Sequence, residues 1–197
     1  MDHLINTSVI QDKLLAGERF HRSHGARLSY ADHEVPYLGT GMLYYTMAYI
    51  YKAKRCVCLG SGSGFVPRIM RQAQLDLKLE DSETILVDAN MPEAGWGAPD
   101  YFSGPSFFKE NFDVRIIEKK TSDALADFQG LEIDYLHIDA DHSYEGAKHD
   151  LTEYSKFLAK KSVITMHDTI PRNAGVWKVI EESRGVFDLV DLPLNMG

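Results

Sequence analysis

Two stretches of this 197-residue chain end in acids and imidazoles at a spacing that suits chemistry. In the first, Ile133, Tyr135 and His137 alternate with Asp134, Leu136 and Ile138, and the run closes on Asp139, Asp141 and His142. In the second, Val163-Ile-Thr-Met closes on His167 and Asp168. Side chains just past the carboxyl ends of neighbouring parallel strands converge on one crevice, the usual ligand site of open α/β sheets. Asp139, His167 and Asp168 would then form a cluster suited to a hard divalent cation, Mg²⁺ by preference, or to a softer metal if His167 ligates. Such a cation lowers the pKa of a bound hydroxyl and makes its oxygen a nucleophile near neutral pH. Without a metal, His142 or His167 is the candidate general base. Capping of the following helix is expected of Asp141, and His137 reads as a buried, hydrogen-bonded histidine.

A third stretch is a binding motif rather than a catalytic one. Arg55-Cys-Val-Cys-Leu runs into Gly60-Ser-Gly-Ser-Gly-Phe65 and then into a helix-like segment, Val66 to Leu79. A strand, a glycine turn and a helix bring backbone close to a nucleotide-like ligand, and a Cβ on the glycines would obstruct that approach. The spacing is Gly-x-Gly-x-Gly. Phe65 stands where a dinucleotide fingerprint carries its last glycine, which favours S-adenosylmethionine over NAD. Gly60, Ser61, Gly62, Gly64 and Phe65 are the loop's candidate cofactor residues. Glu83-Thr-Ile-Leu-Val ends in Asp88, placed to accept bonds from two ribose hydroxyls, with Ala89 beside it. Ser122 and Asp123, at the start of an expected helix, are candidates for the adenine amino group. Asp139 faces the same crevice and counts among the cofactor residues too.

These residues need a frame. Buried-strand patterns recur at residues 55–59, 83–88, 113–118, 133–139, 161–166 and 186–192, with helical patterns between them. Alternation of that kind predicts an α/β fold, a doubly wound, mostly parallel Rossmann-like sheet in a three-layer α/β/α arrangement. Met42 to Lys52 reads as a helix whose apolar face is Met42, Tyr45, Met47, Ala48 and Ile50; residues 34–41 read as a turn and Asn6 to Phe20 as a short helix. One domain spans 1–197. Residues 1–40 form a lid or arm, a candidate for homo-oligomer contacts, and 41–197 form the cofactor-binding core. Residues 90–111, rich in Gly, Pro and aromatics, read as a structured loop in which acceptor specificity would sit.

Composition narrows the function classes. A net charge of -8 with no basic run argues against nucleic acid as a partner. No apolar stretch approaches the ~20 residues of a membrane span. The start shows no signal-peptide pattern, and the two cysteines, Cys56 and Cys58, fit no disulfide framework. A reducing, cytoplasmic setting is the expectation.

From about Tyr37 onwards, the order of elements resembles a class I S-adenosylmethionine-dependent methyltransferase. Ile138-Asp-Ala-Asp-His-Ser-Tyr-Glu-Gly followed by Val163-Ile-Thr-Met-His-Asp-Thr resembles the macrolide-sugar and cephalosporin-pathway O-methyltransferase branch. The resemblance implies that the glycine loop wraps the methionine part of the cofactor and that Asp88 holds the ribose. It also implies metal ligands at Asp139 and at the pair His167-Asp168. Two positions depart from the family pattern: Cys58 replaces an acid, and His167 replaces the first acid of the metal pair. A final antiparallel strand, usual in the family, has no counterpart in these 197 residues. The implied function is O-methylation of a small hydroxylated molecule. The alternatives are an NAD-dependent oxidoreductase and a non-catalytic binder keeping the fold.

Overall fold

A computed structural model describes residues 26–30, 33–37, 41–60, 65–89 and 113–192. Its centre is a five-stranded sheet. Strand β3 (Arg55–Leu59), β4 (Glu83–Val87), β5 (Val114–Ile117), β6 (Ile133–Ile138) and β7 (Leu158–Met166) are ordered β5-β4-β3-β6-β7, and every pair is parallel. From β3 the chain builds outward to one side through β4 and β5. It then returns to build the other side through β6 and β7, so the switch point lies between β3 and β6. The doubly wound fold expected from the pattern is the one observed.

Central strands of a parallel sheet are covered on both faces and read as continuous apolar runs. Thus Cys56 and Cys58 point to one core while Val57 and Leu59 point to the other, all fully buried. Helix α1 (Gly41–Tyr51) and α2 (Phe65–Asp76) pack over the first face, with Tyr44, Tyr45, Ala48, Ile69 and Met70 inward. Helix α3 (Tyr144–Tyr154) and α4 (Ala174–Ser183) pack over the second through Ala147, Leu151, Val176 and Val179. No helix among the described residues is long and apolar enough to cross a membrane.

Several local expectations are corrected. Residues 34–37 are no turn: β1 (Ala26–Tyr30) and β2 (His33–Tyr37) form an antiparallel hairpin apart from the main sheet, with Pro36 opposite Arg27. A proline in a two-stranded ribbon is tolerated because it sits on an edge. The inward face of α1 is Tyr44, Tyr45 and Ala48, whereas Met42 and Ile50 are 39% and 57% exposed. The expected helix at Thr121 is a pair of 3₁₀ turns, Thr121–Asp123 and Leu125–Phe128, and neither has a side-chain cap. Ser143, not Asp141, caps α3 by accepting from the Gly146 amide, while Asp141 Oδ1 accepts from the Ser143 amide. Residues 186–192 form no strand; an isolated bridge joins Arg184 and Phe187. The segment's alternating apolar pattern meets no ladder partner among the described residues. The expected helix at 6–20, the 90–111 loop and most of the proposed lid lie outside the described residues.

Candidate active site

Strand register sets the site. Leu59 pairs with both Val87 and Ile138, and Ile138 pairs with Met166. The next residue on each strand is therefore Gly60, Asp88, Asp139 and His167. Their amides continue the ladder: Gly60 N–H donates to Val87 O (2.8 Å), Asp139 N–H to Leu59 O (2.8 Å) and His167 N–H to Ile138 O (3.1 Å). Four residues singled out from sequence thus stand side by side along the carboxyl edge.

Gly60 sits at φ 69°, in the left-handed region, and a Cβ there would overlap the Asp139 carbonyl and come 2.8 Å from Ala140 Cα. Only glycine lets the β3 and β6 tips approach so closely. Behind it, the Cys58 thiol donates to Gly60 O at 2.9 Å. Burial, then Asp139, Asp88 and Cys56, push that thiol well above its ordinary pKa, so a neutral donor stands where the family pattern has an acid. Residues 61–64 lie outside the described set, and Phe65 is the first residue of α2. Asp88 and Ala89 are half-buried at the β4 tip. Ser122 and Asp123 are exposed on the turn beyond β5, with Ser122 Oγ donating to Asp123 Oδ1 (3.2 Å).

At the other side of the switch point, Asp139, His142 and Asp168 bring one ligand atom each within 4.8 Å of one another. His142 Nε2 lies 3.2 Å from Asp139 Oδ1 and 3.4 Å from Asp168 Oδ2. Asp139 and Asp168 side chains are 12% and 5% exposed, and Asp168 Oδ1 is buried without a hydrogen-bond partner. Two carboxylates and an imidazole converging this closely are a donor set that fits a divalent cation, while the other Asp168 oxygen, Oδ1, faces His167 Nδ1 at 3.6 Å.

His167 lies against the same two carboxylates. Its Nδ1 is 3.6 Å from one oxygen of each carboxylate, beneath the trio, and its side chain is 5% exposed. Burial pulls its pKa down, but Asp139 and Asp168 outweigh it and raise the value to about 10. Protonated, His167 would neutralise the pair. His142 is the accessible imidazole, at 34% exposure; its bond to Asp139 raises its pKa against partial desolvation, with Asp168 adding to the rise.

Two neighbours of this row, Thr165 of β7 and Tyr44 of α1, were not singled out from sequence. His137 is buried, as expected, with Nδ1 2.8 Å from Thr165 Oγ1, which in turn lies 3.0 Å from Tyr135 Oη. Tyr44 of α1 sets its ring edge-on to His137 at 4.9 Å. Burial and then Asp139, Cys58 and Asp168 keep its phenol protonated. Nothing in the spacing of α1 marks Tyr44 off from its neighbours. A cavity of about 600 Å³ opens beside His167 and Thr169 and runs along β7, walled by Tyr44, Met47, Val163 and Phe187.

A family described as "Methyltransferase domain" matches residues 57–169, which spans β3, the switch point and both acid-bearing strand tips. This chain belongs to that family. Membership decides against the nicotinamide alternative. The chain is also similar to an O-methyltransferase from Bacillus cereus solved with SAH: 13% identity, TM-score 0.61, covering 91% of this chain and 80% of that one. The TDP-rhamnose 3'-O-methyltransferase CalS11 of calicheamicin biosynthesis gives 16% identity and a TM-score of 0.57 over 78% and 73%. At these identities the likeness is one of fold, the class I methyltransferase type. An uncharacterised protein of Sinorhizobium fredii, y4gI, is 31% identical over 85 residues. That match takes in 42% of this chain and 9% of the length of y4gI.

Proposed function

We propose that this chain is an S-adenosylmethionine-dependent O-methyltransferase acting on a small hydroxylated molecule. The observation that carries the reading is the in-register row Gly60, Asp88, Asp139 and His167 at the carboxyl edge of the sheet. Gly60 and the loop after it receive the methionine end of the cofactor, Asp88 accepts from the ribose hydroxyls, and Asp123 or Ser122 meets the adenine. That the B. cereus protein was solved with SAH supports this choice of cofactor.

The acceptor hydroxyl sits against Asp139, His142 and Asp168. With no metal bound, His142 takes the proton as general base, being the more exposed of the two imidazoles; with a metal bound it is a ligand instead. His167, when protonated, holds the two carboxylates in place from beneath. Asp139, His142 and Asp168 would hold a divalent cation such as Mg²⁺, which, when bound, supplies Lewis-acid lowering of the hydroxyl pKa. Alignment of oxygen, methyl carbon and sulfur does the rest, a proximity effect of up to ~7–11 kcal/mol in ideal cases.

The test is transfer of an isotopically labelled methyl from S-adenosylmethionine to a panel of catechols, sugars and hydroxylated acids, with and without Mg²⁺. Label recovered on an ether oxygen supports the reading. Weak or absent cofactor binding together with no labelled acceptor would instead match a non-catalytic protein keeping the fold, which Cys58 in place of the family's acid favours.

A further inference from the structure

Helix α4 begins in an unusual way. Asn173 occupies its N-cap position and its carbonyl accepts from Trp177 N–H at 3.0 Å, starting the helix. Asparagine is among the best N-cap residues because its side chain accepts from a first-turn amide. Here the side chain makes no such bond. Its Nδ2 donates instead to the Asp168 carbonyl, 3.2 Å away.

That bond fixes the backbone at Asp168. This residue follows His167, whose amide bonds Ile138 O, and it turns the chain at φ 57°, a left-handed conformation that aspartate tolerates. Two residues after Asn173, Gly175 meets the other half of the site. A Cβ there would overlap the His142 carbonyl and come 2.6 Å from Tyr144 N. The first turn of α4 therefore touches the backbone of both Asp168 and the His142–Tyr144 turn, and His142 Nε2 and Asp168 Oδ2 are 3.4 Å apart.

We infer that the first turn of α4 is a clamp on the site, in which Asn173 is a positioning residue that fixes Asp168 while Gly175 seats His142 against it. Asn173 touches no substrate in this account; it acts through Asp168. The functional part rests on the methyltransferase reading, and the geometric part does not.

Asn173→Asp separates the clamp from ordinary capping. Aspartate is as good an N-cap as asparagine but has no proton to donate to the Asp168 carbonyl. A plain capping role predicts that the variant behaves as wild type. The clamp predicts a melting temperature close to wild type, a cofactor Kd within about twofold, and a kcat lowered ~10–100-fold, the scale of a sub-ångström to 1 Å misplacement. It also predicts shifted imidazole resonances for His142 in ¹⁵N NMR, assigned by their absence in His142→Gln. That readout holds even if the wild type transfers no methyl, so failure of the function and failure of the clamp are told apart. Gly175→Ala should shift the same resonances; should it not fold, the Asn173→Asp arm still decides. Unchanged kcat and unchanged His142 resonances in Asn173→Asp would overturn the clamp, as would loss of thermal stability matching Asn173→Ala with His142 unmoved.

Discussion

Gly60 and Asp139 are ladder neighbours across the switch point: the Asp139 amide bonds Leu59 O, and the Asp139 carbonyl lies where a Cβ on Gly60 would stand. The β3 tip at Gly60 and the acidic cluster are therefore two sides of one strand junction, held together by backbone contacts.

Gly60→Ala should damage both sides at once. The new methyl meets backbone that cannot rotate away, in a left-handed conformation that itself costs about 1–2 kcal/mol for a residue with a Cβ. A loss of about 2–4 kcal/mol in urea unfolding is expected once overpacking is added, together with weaker cofactor binding. Wild-type stability would mean that β3 and β6 can part without cost.

His142→Gln removes the accessible base while leaving the Asp139–His167–Asp168 cluster below it. We expect kcat to fall about 10²–10⁴-fold, the usual worth of general acid–base catalysis, with cofactor affinity unchanged by calorimetry. An undiminished kcat would take the base role from His142.

Much of this arrangement was legible in the sequence. Glycines after Leu59, acids after Val87 and Ile138, and a His-Asp pair after Met166 follow from strands that stop abruptly at polar residues, and a parallel sheet aligns such stops. What spacing does not encode is which of two histidines lies under the carboxylates and which lies over them. His142 and His167 differ in burial through packing of the whole strand edge, a tertiary property. The hairpin at 26–37 was missed because Pro36 and nearby glycines signal a turn more strongly than a short edge ribbon signals a strand. Residues 186–192 were over-read because alternation shows only that a segment suits a strand, not that a partner is beside it.

Gln74 is another residue that pattern alone passes over, a buried polar side chain one turn from the buried Arg71 on α2. It is fully buried; Nε2 donates to Ala53 O and Glu83 O, and Oε1 accepts from Thr84 Oγ1 and Arg71 Nη1. Gln74→Leu would leave several buried groups at the start of β3 and β4 without partners, at about 1–3 kcal/mol each. Urea unfolding should show a loss of about 2–4 kcal/mol; a loss below about 0.5 kcal/mol would show that water replaces those bonds.

Stability should also respond to Asp150. Its Oδ2 is buried without a hydrogen bond, and burial raises its pKa against the lowering effect of Thr121 and His149. A carboxyl whose folded pKa lies above its unfolded one is stabilising only when protonated. Its ionised form therefore weakens the fold above the folded pKa. That penalty is relieved as pH falls through the folded pKa towards the unfolded value. Asp150→Asn should raise the neutral-pH melting temperature relative to wild type and close that gap at acid pH. A gap that stays constant from acid to neutral pH would contradict the assignment.

The most direct test of the central claim is calorimetric titration of S-adenosylmethionine into the wild type and Asp88→Ala, with NAD as control. Micromolar binding of S-adenosylmethionine, none of NAD, and at least about tenfold weaker binding to Asp88→Ala is the predicted result, the worth of a charge-assisted hydrogen bond or more. No binding, or binding indifferent to Asp88, would contradict the placement of the cofactor across the β3 and β4 tips.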